Sequence, residues 1–69
     1  MVINRMSIFS NIGEIVWGID YDNHPEAVDT LLERGYRKES EAVENGVLVE
    51  RYRWKMNANW FATIEWLVV

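Results

Sequence analysis

Few side chains in this sequence can carry out nucleophilic or acid–base chemistry. The 69 residues contain one histidine, His24, and no cysteine. His24 directly precedes Pro25, a position typical of a solvated residue at a helix start rather than of a general base. No serine stands in the glycine-flanked turn of a hydrolase nucleophile; the serines are Ser7, Ser10 and Ser40. The sequence therefore predicts no catalytic residue and a protein that is not an enzyme.

The carboxylates Asp20 and Asp22 are the next candidates, because a hydrolase can use two carboxylates and because the run from Asp20 to Asn23 resembles the start of a calcium loop. A solvated strand end is the simpler explanation for the pair. In a calcium loop that opened at Asp20, position 6 would be glycine and position 12 glutamate, but this chain has Pro25 and Leu31 there. One histidine without cysteine cannot complete a zinc site, and no glycine-rich phosphate loop occurs. We expect no metal and no cofactor.

A stretch of alternating basic and aromatic residues, 51–55, has the composition of a stacking platform for nucleic acid. Strand alternation, however, places Tyr52 and Trp54 on one face and Arg51, Arg53 and Lys55 on the other. The aromatic residues are then predicted to be core, and the basic residues to be solvated. A net charge of −4 and a pI of 4.8 also oppose binding to a polyanion. We expect no direct binding of nucleic acid.

Acidic residues are concentrated in the first half of the chain. Residues 1–33 carry six acids and one base, a net charge of −5, whereas residues 34–55 carry six bases and four acids, a net charge of +2. The predicted acidic face lies along a strand end, a loop and a helix, and consists of Asp20, Asp22, Glu26, Asp29 and Glu33. Such a face can imitate a phosphate backbone and occupy a basic groove. The alternative is an ordinary solvated helix face.

The clearest secondary-structure signals predict one helix near residues 25–34. Either Asn23 or His24 caps it, since proline favours the first helical position. An apolar stripe at helical spacing follows (Val28, Leu31, Leu32), and Gly35 is a natural residue just past the helix end.

Asn45-Gly46 predicts a hairpin between strands near 37–44 and 47–55. A three-residue turn at 57–59, with Asn59 in the left-handed region, would pair Tyr52 with Ile64 and Arg51 with Glu65 in a last strand over 60–69.

The first twenty residues fit two patterns. Alternation over 14–21 indicates a strand, and a turn at 11–13 would pair it with a strand over 2–10; a helical stripe from Ile8 to Ile19 is also possible. Gly13, Gly18 and many β-branched residues favour strands. The predicted fold is a single α+β domain over residues 1–69, an antiparallel sheet of four to five strands with one short helix in the order β(β)αβββ.

One short helix cannot cover such a sheet, so we expect aromatic surface to remain exposed and to mark an interface. Either this aromatic face or the edge of the C-terminal strand would serve, with Trp60 or Trp66 as anchor of the contact. A homodimer through the sheet is one possible outcome.

In size, charge and lack of catalytic groups the chain resembles the small acidic inhibitors of phages and mobile elements, anti-CRISPR proteins among them. The resemblance implies a binding protein that inhibits a host protein, such as a nucleic-acid-binding protein with a basic surface, by mimicking nucleic acid. The alternative is a structural or assembly module that acts as a homodimer. No signal peptide or stretch of about 20 apolar residues is present, so we expect a cytoplasmic location and no membrane.

Overall fold

A computed structural model of the chain describes residues 4–68. Within this range the elements are β1 (Arg5–Phe9), β2 (Ile15–Asp20), α1 (His24–Glu33), β3 (Tyr36–Glu44), β4 (Val47–Trp54) and β5 (Phe61–Leu67). The five strands form one antiparallel sheet, and α1 packs on one of its faces. The predicted α+β class and element order are confirmed. Residues 2, 3 and 69 of the predicted strands lie outside the described residues.

The strand order is β2-β1-β5-β4-β3, which places the C-terminal strand β5 in the centre of the sheet. Ile64 of β5 pairs with Met6 on one side and with Glu50 on the other. The hypothesis that the edge of the C-terminal strand forms an interface is therefore wrong. A central strand has its backbone paired on both sides, and the apolar residues on both faces of β5 suit that position. The edges of the sheet are β2 and β3.

Residues 5–20 form a hairpin, so the prediction of two strands is confirmed and the helical alternative is wrong. Gly13 adopts φ +82° in the turn, and its backbone N–H donates to the Ser10 carbonyl at 2.9 Å. A β-bulge shifts the pairing between Ile8 and Phe9 of β1, which leaves Val16 of β2 without a direct partner in β1.

The helix starts and ends at the predicted signals. Asn23 is the N-cap, with extended backbone (φ −141°, ψ 143°), and its side-chain oxygen accepts a hydrogen bond from the Glu26 N–H at 2.9 Å. His24 is thus the first helical residue rather than the cap. Gly35 follows the helix with φ +91°, a conformation that glycine adopts without steric cost.

The Asn45-Gly46 hairpin is confirmed, and both residues have positive φ (51° and 78°). The predicted register between the last two strands is wrong by two residues, because Tyr52 pairs with Ala62 and Arg51 with Thr63. Asn59 does not take the predicted left-handed conformation; the residues with positive φ in the described chain other than glycine are Asn4 and Asn45.

A longer connection explains the shift of register. The loop spans residues 55–60, and the Lys55 N–H donates to the carbonyl of Gly35 at 2.9 Å, which ties the loop to the end of α1. A shift of two residues keeps every side chain on its predicted face. Tyr52, Ala62 and Ile64 accordingly share the buried face of the sheet.

The core lies between α1 and this face of the sheet. Its buried members are Met6, Ile8, Ala27, Leu31, Tyr36, Tyr52, Ala62 and Ile64. The four tryptophans are only partly buried and pack around it: Trp17, Trp54, Trp60 and Trp66. No helix among residues 4–68 is long and apolar enough to cross a bilayer.

We predict that Asn23→Ala lowers the free energy of unfolding by about 1 kcal/mol, because the Glu26 N–H loses its hydrogen-bond acceptor. Urea unfolding followed by circular dichroism measures the loss. Asn11→Ala is the control, since Asn11 is exposed in a turn and its side chain makes no hydrogen bond to the described residues. Equal unfolding midpoints for the two variants would show that the cap contributes nothing.

Candidate functional site

The outer side of α1 carries a row of carboxylates. Glu26, Asp29 and Glu33 follow one another at spacings of three and four residues, which places them on one helix face, opposite the buried Ala27 and Leu31. We call these three residues, together with the exposed Asp22 before the helix, the acidic flank. All four are exposed, and none forms a salt bridge with any residue in 4–68.

Asp20 was predicted to belong to this face, but the structure places it differently. Its Oδ1 accepts a hydrogen bond from Arg5 Nε at 2.9 Å across the N-terminal hairpin. Because Arg5 alternates with the buried Met6, this ion pair lies on the side of the sheet away from α1. Arg5 therefore offsets the charge of Asp20. Because of this pairing and its position, Asp20 is not part of the acidic flank.

The two predicted anchor residues, Trp60 and Trp66, lie at opposite ends of β5, roughly 20 Å apart along the strand. Trp66 contacts the first residue of α1: its ring meets the His24 imidazole edge-on, with centroids 5.5 Å apart. Trp60 packs against Trp54, with ring centroids 5.8 Å apart. Of the two, Trp66 is thus the one that contacts the first residue of α1.

His24 is not the solvated residue that the sequence suggested. Its Nε2 hydrogen-bonds to a carboxylate oxygen of Glu50, which is only 3% exposed. The second Glu50 oxygen pairs with Lys38 Nζ at 3.0 Å, and Lys38 also bonds Glu41. We call His24, Lys38, Glu41 and Glu50 the Glu50 cluster. It joins the start of α1 to β4 and to the edge strand β3.

Opposing effects set the ionisation of this cluster. Burial alone would raise the pKa of the Glu50 carboxyl, but the hydrogen bonds from His24 and Lys38 outweigh burial and lower it. The bonds to Glu41 and Glu50 raise the pKa of Lys38. Burial and the nearby negative charge of Glu50 raise the pKa of Tyr52 to about 12. The cluster therefore holds an ionised carboxylate beneath the helix at neutral pH.

Sequence reasoning missed this cluster, although one signal for it exists. Glu50 alternates with Leu48 and Tyr52 on β4, so strand periodicity places its carboxylate on the buried face. A carboxylate at an apolar position requires a cation or a hydrogen-bond donor. The identity of the partners, His24 and Lys38, depends on long-range packing that the spacing of residues does not reveal.

A cavity of about 380 Å³ opens on the helix side of the sheet, just past the C-terminal end of α1. Its lining residues are Ile8, Val16, Trp17, Arg34, Tyr36, Trp54 and Trp60. The guanidinium of Arg34 lies over the Trp17 ring, 4.2 Å from its centroid. Trp54 Nε1 donates to the Arg34 carbonyl at 2.9 Å and fixes the rim.

The exposed apolar surface is aliphatic rather than aromatic, contrary to expectation. It is most concentrated on β2 and the turn before it, where Ile12 is 74% exposed, Ile15 60%, Val16 50% and Ile19 39%. β2 is also an edge strand whose centre, from Ile15 to Ile19, carries no charged residue. The opposite edge, β3, carries several charged residues and a bulge, features that typically protect an edge from pairing.

The face of the sheet away from α1 carries Arg51 and Arg53 as predicted, whereas Lys55, which was predicted on the same face, lies in the loop after β4. Arg53 forms paired hydrogen bonds with Glu39, at 2.9 and 3.0 Å through its Nη2. Arg51 lies over the Phe61 ring at 4.4 Å and is not paired with Glu65 as predicted. The placement of Tyr52 in the core and of Arg51 on the other face is confirmed.

Comparison with protein-family models, with curated proteins and with solved structures finds no match to this chain.

The Glu50 cluster predicts a loss of stability in acid. The pKa of Glu50 is lowered on folding, so its contribution is present above the unfolded pKa of the carboxyl, about 4.3, and disappears as the pH falls through the lower folded value. We predict that Glu50→Gln costs about 1–3 kcal/mol at neutral pH and markedly less near pH 3. Urea unfolding at both pH values measures the difference.

Glu44→Gln is the matched control, because Glu44 is an exposed glutamate on β3 that makes no salt bridge to the described residues. It should leave stability nearly unchanged at both pH values. If Glu50→Gln cost the same at pH 3 as at pH 7, the ionised state of Glu50 would not be what stabilises the fold.

Proposed function

We propose that this protein is a non-enzymatic binding protein that inhibits or modulates a partner protein by occupying a basic surface of that partner. The observation that carries the proposal is the acidic flank, in which four exposed carboxylates have no cation partner in residues 4–68. Unpaired surface carboxylates on one side of a protein attract and orient a basic partner.

The spacing of these carboxylates supports a mimic of nucleic acid. Along the helix axis the steps from Glu26 to Asp29 and from Asp29 to Glu33 are roughly 4.5 and 6 Å. The phosphates of one DNA strand succeed each other by about 3.4 Å along the duplex axis, a distance of the same order. A groove lined with Lys or Arg that accepts phosphates is thus a suitable partner surface, as in a protein that handles nucleic acid.

Complementary charge raises the rate of association and orients the two partners, whereas an apolar anchor residue contributes much of the affinity. Trp66 is partly exposed and lies beside His24, at the N-terminal end of α1, where the acidic flank begins. We therefore assign Trp66 as the anchor next to the flank. A cytoplasmic partner, and the role of a phage or mobile-element inhibitor, belong to this proposal.

We predict that the double charge reversal Asp29→Lys/Glu33→Lys abolishes capture of basic proteins from a cell lysate by the immobilised protein. Raising the salt should weaken capture by the wild type, because the attraction acts between exposed charges. Quantitative mass spectrometry of the captured proteins, at low and high salt, measures both effects.

Glu14→Lys/Glu44→Lys is the control, because it changes the net charge by the same amount at exposed acids away from α1. This control should capture the same basic proteins as the wild type. The proposal would be refuted if both double variants lost capture equally, or if the helix variant retained it.

The aliphatic edge strand β2 favours a second candidate function, a homodimeric assembly module. β2 presents unpaired backbone groups and exposed Ile15, Val16 and Ile19, which form an unprotected template for another strand. Pairing of β2 with β2 of a second copy would extend the sheet across a two-fold axis and bury this aliphatic surface in both copies.

For this second function we predict that the sedimentation coefficient of the wild type rises with concentration, whereas Ile15→Lys remains monomeric. A lysine on an edge strand opposes pairing because association would bury its charge. Val43→Lys, at an exposed position of the other edge strand, should dimerise like the wild type. A wild type that stays monomeric at high concentration would exclude the homodimer.

A further inference from the structure

We infer that the cavity at the C-terminal end of α1 is a binding site for a small planar aromatic carboxylate. This inference does not depend on the proposed function, because the cavity and the acidic flank are separate surfaces. The cavity volume of about 380 Å³ lies within the range of sites that bind small molecules. Aromatic and aliphatic side chains make up its lining apart from Arg34.

The aromatic walls favour a flat ring. Trp54 stacks nearly parallel on Tyr36, with an interplanar angle of 12°, and Trp60 is tilted by 59° to Trp54. These rings present both faces and edges to the space between them. A planar aromatic ligand can therefore be stacked on one side and met edge-on from another, a geometry that adds to the gain from burial alone.

The cavity is held open by contacts that do not involve a ligand. Trp54 Nε1 donates to the Arg34 carbonyl at 2.9 Å, and the Lys55 N–H donates to the Gly35 carbonyl at 2.9 Å. Gly35 itself adopts φ +91° and packs against the Trp54 ring. A Cβ at position 35 would lie 3.6 Å from Trp54 Nε1. A site that is formed in advance loses less entropy on binding.

Arg34 decides the charge of the ligand. A cage of indoles alone would suit a quaternary ammonium ion, but the guanidinium at the rim repels cations, and no carboxylate of residues 4–68 lines the cavity. The guanidinium lies over the Trp17 ring, and its N–H groups donate no hydrogen bond within residues 4–68, so they are available as donors to a ligand. Within residues 4–68 the Arg34 side chain makes no salt bridge. A carboxylate matches this planar arrangement of donors.

Indole-3-acetate is a suitable probe, with the neutral indole-3-acetamide and with acetate as controls. In ¹⁵N-labelled protein each of the four tryptophans gives one indole N–H resonance. Trp17, Trp54 and Trp60 line the cavity, whereas Trp66 lies beside His24 and serves as an internal control. We predict that indole-3-acetate shifts the first three resonances and not that of Trp66, that the amide binds at least about tenfold more weakly, and that acetate causes no shift.

A pair of arginine variants tests the role of charge. Arg34→Gln should weaken binding of indole-3-acetate about tenfold and leave binding of the amide nearly unchanged. Arg51→Gln, on the face of the sheet away from α1, should bind like the wild type. An unchanged Trp66 resonance in each variant shows that the fold is intact. Equal affinity for acid and amide, a Trp66 shift as large as the others, or no shift at millimolar probe would overturn the inference.

Discussion

The helix is too short to cover the sheet beneath it, and this shortfall governs most of the structure. Ten residues give α1 a length of roughly 15 Å, whereas five strands spaced about 4.8 Å apart span roughly 19 Å from edge to edge, and the longest strand is roughly 30 Å long. Ala27 and Leu31 fill the centre of the interface. The remaining apolar surface on this face must be covered by side chains of the sheet itself.

The tryptophans provide this cover, with a different result at each end of α1. At its start Trp66 packs on His24, and the buried carboxylate of Glu50 is compensated by His24 and Lys38. At the C-terminal end of α1, three indoles meet around Arg34 without filling the space, and a cavity results. Burial of an ion pair contributes little net stability compared with apolar packing. The Glu50 cluster therefore fixes the position of the helix start more than it strengthens the core.

The sequence predicted features that depend on neighbouring residues and failed for those that depend on distant ones. The cap at Asn23, the turn at Asn45-Gly46 and the outward carboxylates of α1 rest on local signals, and all are present. The register between β4 and β5 was wrong because a shift of two residues preserves every face, so alternation cannot detect it. The central position of β5, the Glu50 cluster and the cavity each depend on contacts between elements that are distant in the sequence. Among these three features, only the Glu50 cluster had a sequence signal, namely the place of Glu50 in the alternation of β4.

The uneven charge along the sequence becomes an uneven charge across the molecule. The acidic flank lies on the outer side of α1, whereas Arg51 and Arg53 lie on the opposite face of the sheet, where Glu39 pairs with Arg53 and Phe61 lies under the Arg51 guanidinium. A basic side chain that is paired with a carboxylate, as Arg53 is with Glu39, contributes less to the external field than carboxylates without a partner. Under the proposed function, a basic surface is therefore attracted mainly to the helix side, and the field orients the molecule before any contact forms. In the proposed function, a short helix on a wide sheet thereby selects the orientation in which a basic partner approaches.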